Sequence, residues 1–339
     1  MKKLLLFLMI VFIGYGSVAV KAEPVVSASA AILMEKDSKR ILYGKNINNR
    51  YLTASIAKIM TALVAIENGD LNKYCVVDDK TVRQIGSSIY LQLGDRIKLI
   101  DLVYGLMLRS GNDAAYLIAT NVGRNYNDFI YLMNETAKKI GMRSSCFSNP
   151  SGLDEDTANF STAYDMALLM SYALNNKLFA QIIAAKRYTV KTLDNNSLYF
   201  VNKHRLIHTL DYVIGGKTGY TVNAHRTLVT CAKKNNMVLI VVTFNCGNDW
   251  TVHQNLLEYG YNNYKMATII KRQIVKVNDY LYPATPVIND DIKYPIKEGE
   301  KLTCIIYLLR RPYNNSVIGQ AVLYLDGVPV LKSDICRYY

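Results

Sequence analysis

Hydrophobic positions along this chain change their spacing several times. After Met1-Lys-Lys comes an uncharged, largely apolar run of 17 residues, Leu4 to Val20, closed by Val20-Lys21-Ala22. A basic start, an apolar middle and small residues just before Glu23 predict a cleaved export leader over 1–22, with an uncleaved anchor as the alternative. From Ser55 to Asn175 the period is helical. Tyr51 to Ile66 is apolar on nearly all sides, carries Lys58 as its one formal charge and stops at Asn68-Gly69, the pattern of a buried central helix with a glycine stop. Strand patterns then dominate Arg187 to Asn245, with Arg226–Ala232 and Met237–Phe244 joined by a turn at Asn235-Asn236, and a helix is predicted from Trp250 to Tyr264. That order predicts an α/β fold in which a late antiparallel sheet is packed by helices from the middle of the chain. Beyond Lys271 the runs are short and alternating (Ile274–Val277, Leu302–Leu309, Gln320–Leu325), with a hairpin signal at Asp326-Gly327. A small all-β domain is expected there. The boundaries implied are 1–22 for the leader, 23–268 for the main domain and 269–339 for the β-rich one.

Composition narrows the class. With 339 residues, half of them hydrophobic, and no fixed-period repeat, the chain has room for two domains and a sizeable core. Removing Lys2, Lys3 and Lys21 with the leader takes the formal charge from +13 to +10. Such an excess on an exported protein suits peripheral contact with an anionic wall or membrane surface, or serves solubility alone. Nucleic acid is not expected as a partner, because no basic run is interleaved with aromatics. Six cysteines show no C-x-x-C spacing; Cys231 and Cys246 flank a hairpin and could face each other, but scattered core thiols are the preferred reading. His204 and His208 are four apart without the glutamate of a zinc-binding helix, so no metal and no cofactor are expected.

Three short motifs carry chemistry. Ser55-Ile-Ala-Lys58 puts a hydroxyl and an amine one helical turn apart, the spacing of a nucleophile and its base. A lysine in so apolar a helix must be paired or lose its proton, and a neutral amine is what a base has to be. Ser110-Gly111-Asn112 lies between two apolar runs, on a helix–helix connection; the Ser110 hydroxyl is expected to relay a proton to the leaving amine and Asn112 to bind the substrate's amide. Lys217-Thr218-Gly219 precedes the hairpin, where the glycine lets a substrate backbone lie against the strand and Lys217 and Thr218 meet a carboxylate. Backbone N–H groups of Ser55 and Tyr220 are expected to form the oxyanion hole.

With these motifs, Asn149-Pro-Ser-Gly-Leu153, Ser161–Ala167, Gly216–Thr221 and Leu256–Tyr261, the chain resembles the low-molecular-mass penicillin-binding proteins of the D-alanyl-D-alanine carboxypeptidase type from about Val25 to Tyr339. The resemblance implies a penicillin-binding domain of the β-lactamase/transpeptidase kind followed by a small β-rich domain. It also implies an acyl-enzyme on Ser55, a carboxylate held by Lys217, peptidoglycan stem peptides ending in D-Ala-D-Ala as substrate, β-lactams as covalent inhibitors, and a place outside the cytoplasm. Three departures stand out: Ser151 where the family often has His, His225 where it has Gly, and no amphipathic helix after Cys336. The competing readings are a class A-like β-lactamase, for which Glu155 and Asn159 match a Glu-x-x-x-Asn pattern, and a catalytically inert wall-binding or penicillin-sensing protein.

Overall fold

The computed structural model describes residues 4–9, 23–277, 282–310 and 316–338, those of 4–9 by their backbone. They fall into two units, one of Pro24–Lys234 with Val238–Gly260 and one built mainly from Tyr261 onward. In the first, five antiparallel strands follow the order Val213–Thr221, His225–Lys234, Met237–Phe244, Ala30–Glu35, Ile41–Lys45. The expected turn joins the second and third of these, and Asn235 and Asn236 both have positive φ (52° and 59°), the geometry of the two-residue hairpin their sequence favours.

Ala30–Glu35 is buried along its whole length, so both faces of the sheet are covered. One face, through Ile32, Met34, Val229 and Val242, joins a core shared with the helices Lys58–Asn68, Leu99–Arg109, Asn112–Asn121, Tyr126–Ile140 and Ala163–Ala173. On the other lies the helix Asp249–Asn263, where Gly260 comes so close to Leu33 and Leu239 that a Cβ would stand 2.9 and 2.6 Å from their methyl groups. Lys58–Asn68 is the hub, buried at every position from Lys58 to Ala65. It begins later than the apolar pattern suggested: Tyr51–Leu52 is a short strand against Phe160–Ser161, and Ala54–Ala57 a 3-10 turn.

The second unit contains the expected β-rich part. Leu302–Leu309 alternates buried and half-buried positions, and the hairpin of Val317–Leu325 with Val328–Arg337 turns at Asp326-Gly327, both with positive φ. Of the leader expected over 1–22, only 4–9 lie among the described residues, and their backbone forms a strand, Leu4–Met9, antiparallel to Leu302–Leu309. All six cysteines are free thiols.

One contact fixes the elbow that carries Ser55. Gly152, at φ +84°, passes so close that a Cβ would lie 1.9 Å from the Ala54 carbonyl oxygen and 3.1 Å from the Ser55 nitrogen. Gly94 has a similar φ of +86° but open space around it. Gly152→Ala should therefore cost about 2–5 kcal/mol, a left-handed backbone penalty plus overpacking, against about 1–2 kcal/mol for Gly94→Ala. Denaturant midpoints of the two variants check this; equal losses would show that the close approach carries no strain.

Candidate active site

Ser55 sits in the 3-10 turn that leads into the hub helix, after Ala54 in the left-handed region (φ +46°). Thr53 holds the turn from outside, its carbonyl accepting from the Thr227 hydroxyl at 3.0 Å and its N–H donating to Asn159 at 3.1 Å. Strained backbone retained at such an elbow marks a place where geometry is over-determined by its surroundings. Lys58 is fully buried one turn on, and its Nζ donates to three oxygens: Ser55 Oγ at 3.0 Å, Asn112 Oδ1 at 2.7 Å and the Ser151 carbonyl. Burial, reinforced by the nearby charge of Lys203 and opposed by Asp113, lowers its pKa from 10.5 to about 7.

These three acceptors differ in one respect. An amide oxygen and a peptide carbonyl can only accept, so a neutral Lys58 amine spends its two N–H bonds on Asn112 and Ser151 and turns its lone pair to the one partner with a proton to give, the Ser55 hydroxyl. The base is aimed by its surroundings.

Ser110 and Asn112 arrive on the expected helix–helix connection. Ser110 ends Leu99–Arg109 in the left-handed conformation (φ +65°), and Asn112 opens the next helix. The second lysine, Lys217, is 1 % exposed; its Nζ donates to Ser110 Oγ at 2.9 Å and to the Thr218 carbonyl at 2.6 Å. Burial and the charges of Lys58 and Lys203 hold its pKa well below the usual 10.5. Gly219 faces Ser55, with its would-be Cβ 3.0 Å from Ser55 N and 2.3 Å from Thr227 Oγ1, so only glycine fits. Thr218 is half-buried, and Tyr220, next along the strand, is exposed. The structure thus joins Ser55, Lys58 and Asn112 in one hydrogen-bonded group and Ser110 and Lys217 in a second, with Thr218 and Tyr220 on the adjoining strand.

Several contributors carry no motif of their own. Asp113, buried, accepts from Ser88 Oγ, Ile89 N, Leu91 N and Ala114 N, clamping the segment whose Ile85 carbonyl accepts from Asn112 Nδ2 and whose Ser87 carbonyl accepts from Asn112 N. Lys203 reaches Ser87 Oγ at 3.2 Å and adds a third positive charge beside the two lysines. Its place beside the two lysines gave no signal in sequence. The departures noted at Ser151 and His225 have simple physical readings. Lys58 uses the Ser151 main-chain carbonyl, which any residue would supply, and His225 accepts a left-handed φ of +55° that glycine would take without strain.

The pair that raised the β-lactamase reading is not assembled for catalysis. Asn159 spends its side chain on the backbone of Ser148 and Asn149, while Glu155 is exposed. Among the described residues no cluster of His, Cys, Asp and Glu could hold a metal ion, and no helix is long and apolar enough to cross a membrane.

A helix-wrapped antiparallel sheet with a serine, an aimed lysine and a glycine-bearing strand converging at its edge is the architecture of a penicillin-binding serine hydrolase. The chain belongs to the D-alanyl-D-alanine carboxypeptidase family, whose model matches residues 17–248. It is 31% identical over 330 residues to the D-alanyl-D-alanine carboxypeptidase DacF of Bacillus subtilis, covering 91% of this chain and 84% of that protein. It is 33% identical over 227 residues to DacB2 of Mycobacterium tuberculosis, covering 67% and 76%. Among solved structures, the Streptomyces K15 DD-transpeptidase superposes with a TM-score of 0.67 at 28% identity, covering 71% of this chain and 99% of that one. The activity is that of a D-alanyl-D-alanine carboxypeptidase, a hydrolase, and neither the lactamase nor the inert reading is favoured.

A base must be neutral to act, so the reading of Lys58 as the base gives a signed pH dependence. Lys58 loses its proton as pH rises through about 7, so acylation by a penicillin and release of D-alanine should both climb with a midpoint about 7, more than 3 units below an ordinary lysine at 10.5. Stopped-flow acylation from about pH 5 to 9 measures this, and a flat profile would rule out Lys58 as the base.

Proposed function

We propose that this enzyme removes the terminal D-alanine from peptidoglycan stem pentapeptides through an ester on Ser55. The observation that carries the reading is the Lys58 Nζ, 3.0 Å from Ser55 Oγ and held by two groups that can only accept. Ser55 Oγ attacks the carbonyl carbon of the penultimate D-alanine, and its proton passes to the neutral Lys58 amine. Backbone N–H groups of Ser55 and Tyr220 face the oxyanion of the tetrahedral intermediate, where donors fixed in advance count for most. The intermediate collapses by breaking the C–N bond to the terminal D-alanine; its amine takes a proton from Ser110, which is resupplied from the lysine side. Asn112 aligns the substrate amide, and Lys217 and Thr218 hold the terminal carboxylate. Water then attacks the ester, returns the proton to Ser55 and frees the shortened peptide.

The same steps apply to a β-lactam, whose ring amide takes the place of the scissile bond and leaves an adduct on Ser55. For this reading the chain comprises a leader over 1–22, a catalytic domain over 23–268 and a β-rich domain over 269–339, and it works outside the cytoplasm, where its family's substrate lies. The leader's basic, apolar and small-residue segments support export.

Ser55→Ala should abolish covalent labelling by a fluorescent penicillin and D-alanine release from a muropeptide pentapeptide, with unchanged thermal unfolding, since one lost hydroxyl in a cleft disturbs little packing. Labelling that survives in Ser55→Ala would reject the nucleophile. Glu155→Gln should leave D-alanine release within a few-fold of wild type and the penicilloyl adduct long-lived in both proteins. Rapid penicillin turnover in wild type that collapses in the mutant would restore the lactamase.

A further inference from the structure

Behind the strand that carries Lys217 lies a buried polar chain that the mechanism above does not use. Neighbouring strand residues point to opposite faces, so while Lys217 reaches Ser110, Gly216 turns toward His204. The fit is tight: a Cβ on Gly216 would stand 2.7 Å from His204 Nε2. That nitrogen lies 3.2 Å from the Val229 carbonyl and 2.9 Å from Thr230 Oγ1. Thr230 is in turn 2.7 Å from His253 Nδ1, and His253 Nε2 is 2.9 Å from Thr243 Oγ1. Both rings are fully buried, and the edge of Trp250 closes against His204 at 5.3 Å between ring centres.

The partners fix where the hydrogens go. A carbonyl can only accept, so His204 Nε2 carries a hydrogen; its buried Nδ1, which finds no partner, is then a bare lone pair, cheaper to bury than a stranded N–H. Thr230 receives from His204 and gives its own hydrogen to His253 Nδ1, leaving His253 Nε2–H for Thr243. The His204 Nε2–H is shared between the Val229 carbonyl and Thr230, and from Thr230 the chain runs one way through His253 to Thr243. Burial lowers the pKa of His204 to about 4 and holds that of His253 well below 6.5, so both rings stay neutral at physiological pH. An apolar filling of this space would pack as well but would not fix direction, which is what a hydrogen-bonded polar chain adds to a core.

We propose that the His204–Thr230–His253 chain is a positioning device for the catalytic strand, setting where Gly216 lies and thereby the reach of Lys217 to Ser110. The proposal rests on the reading of Lys217 and Ser110 as site residues. Lys217 both bonds Ser110 and is read above as the partner of the substrate carboxylate; a small shift of its strand should break the short-range Ser110 bond, which serves the chemical step, more than the longer-range charge attraction that serves binding.

The test is steady-state release of D-alanine by the full chain from a peptide ending in D-Ala-D-Ala. Variants are His204→Leu, Thr230→Val, the double variant, His204→Gln, whose amide nitrogen can stand where Nε2 stood, and Lys217→Ala. Expected are a fall in kcat of tenfold or more in His204→Leu and in Thr230→Val with KM within about twofold, a double variant no worse than either single, and recovery to within about threefold in His204→Gln. If His204→Leu does not fold, Thr230→Val, which removes only one hydroxyl, decides alone. Wild-type kcat in these variants beside an impaired Lys217→Ala would overturn the positioning role and leave the site reading standing. Wild-type kcat and KM in Lys217→Ala would overturn both. Losses that follow only the folded fraction, with no recovery in His204→Gln, would reduce the chain to core packing and reject the proposal.

Discussion

Everything at this site depends on a lysine amine sealed in the core without a carboxylate bonded to it. Lys58 is fully buried, its three hydrogen-bond partners are neutral oxygens, and the carboxylate that favours its charged form, Asp113, acts only through space. A direct acidic partner would keep the proton in place; bare desolvation would strand a charge. The arrangement between these extremes yields an amine that is neutral at working pH and already directed. It also costs stability. The folded-state pKa lies below the unfolded one, so the cost is present in full below about pH 7 and disappears as pH rises toward 10.5. A core shared by six helices, Lys177–Ala184 among them, and a sheet supplies the burial that makes this tolerable.

The neighbouring charges follow the same logic. Lys217 and Lys203 are both shifted down by burial; the charge of Lys203 further lowers both Lys58 and Lys217, and that of Lys58 lowers Lys217. A cleft with three amines beside one another has a strong preference for an incoming anion. The free carboxylate at the end of a stem peptide meets that demand, and it would draw the lysines back toward their charged forms as it binds.

Much of this was legible in the sequence because it is written in side chains at fixed spacing. Ser55 and Lys58 one turn apart, the loop at Ser110–Asn112, the paired Asn residues at 235–236 and the Asp326-Gly327 turn all have local physical causes, and the structure has each where the pattern puts it. What stayed hidden acts through the backbone or across long separations. The Ser151 carbonyl is an oxygen every residue owns. Asp113 looks like any acid in a first helical turn until the N–H groups of Ile89 and Leu91 come to it. His204 stands in the sequence only as half of an incomplete zinc pair with His208, and only the sheet register, which sets Gly216 opposite Thr230, reveals its neighbours. The central helix starts later than its apolar run because Ala54 takes a left-handed conformation, with Gly152 packed against its carbonyl, a contact the local sequence does not reveal.

The strand Val213–Thr221 is also the outermost of its sheet, and its register is broken between Val213 and Gly215. An exposed row of unpaired N–H and C=O groups invites any other extended chain, including a second copy of this protein, to dock and polymerise. Here the row is interrupted by two glycines at φ +141° and +159°, and it carries a buried lysine on its inward face. Those irregularities make a poor template for a long flat partner and a good one for a peptide only two or three residues long. The edge is in this way a weak template for continuous β-pairing, and part of it is already covered, since Gly215 lies close against the Ile183 carbonyl.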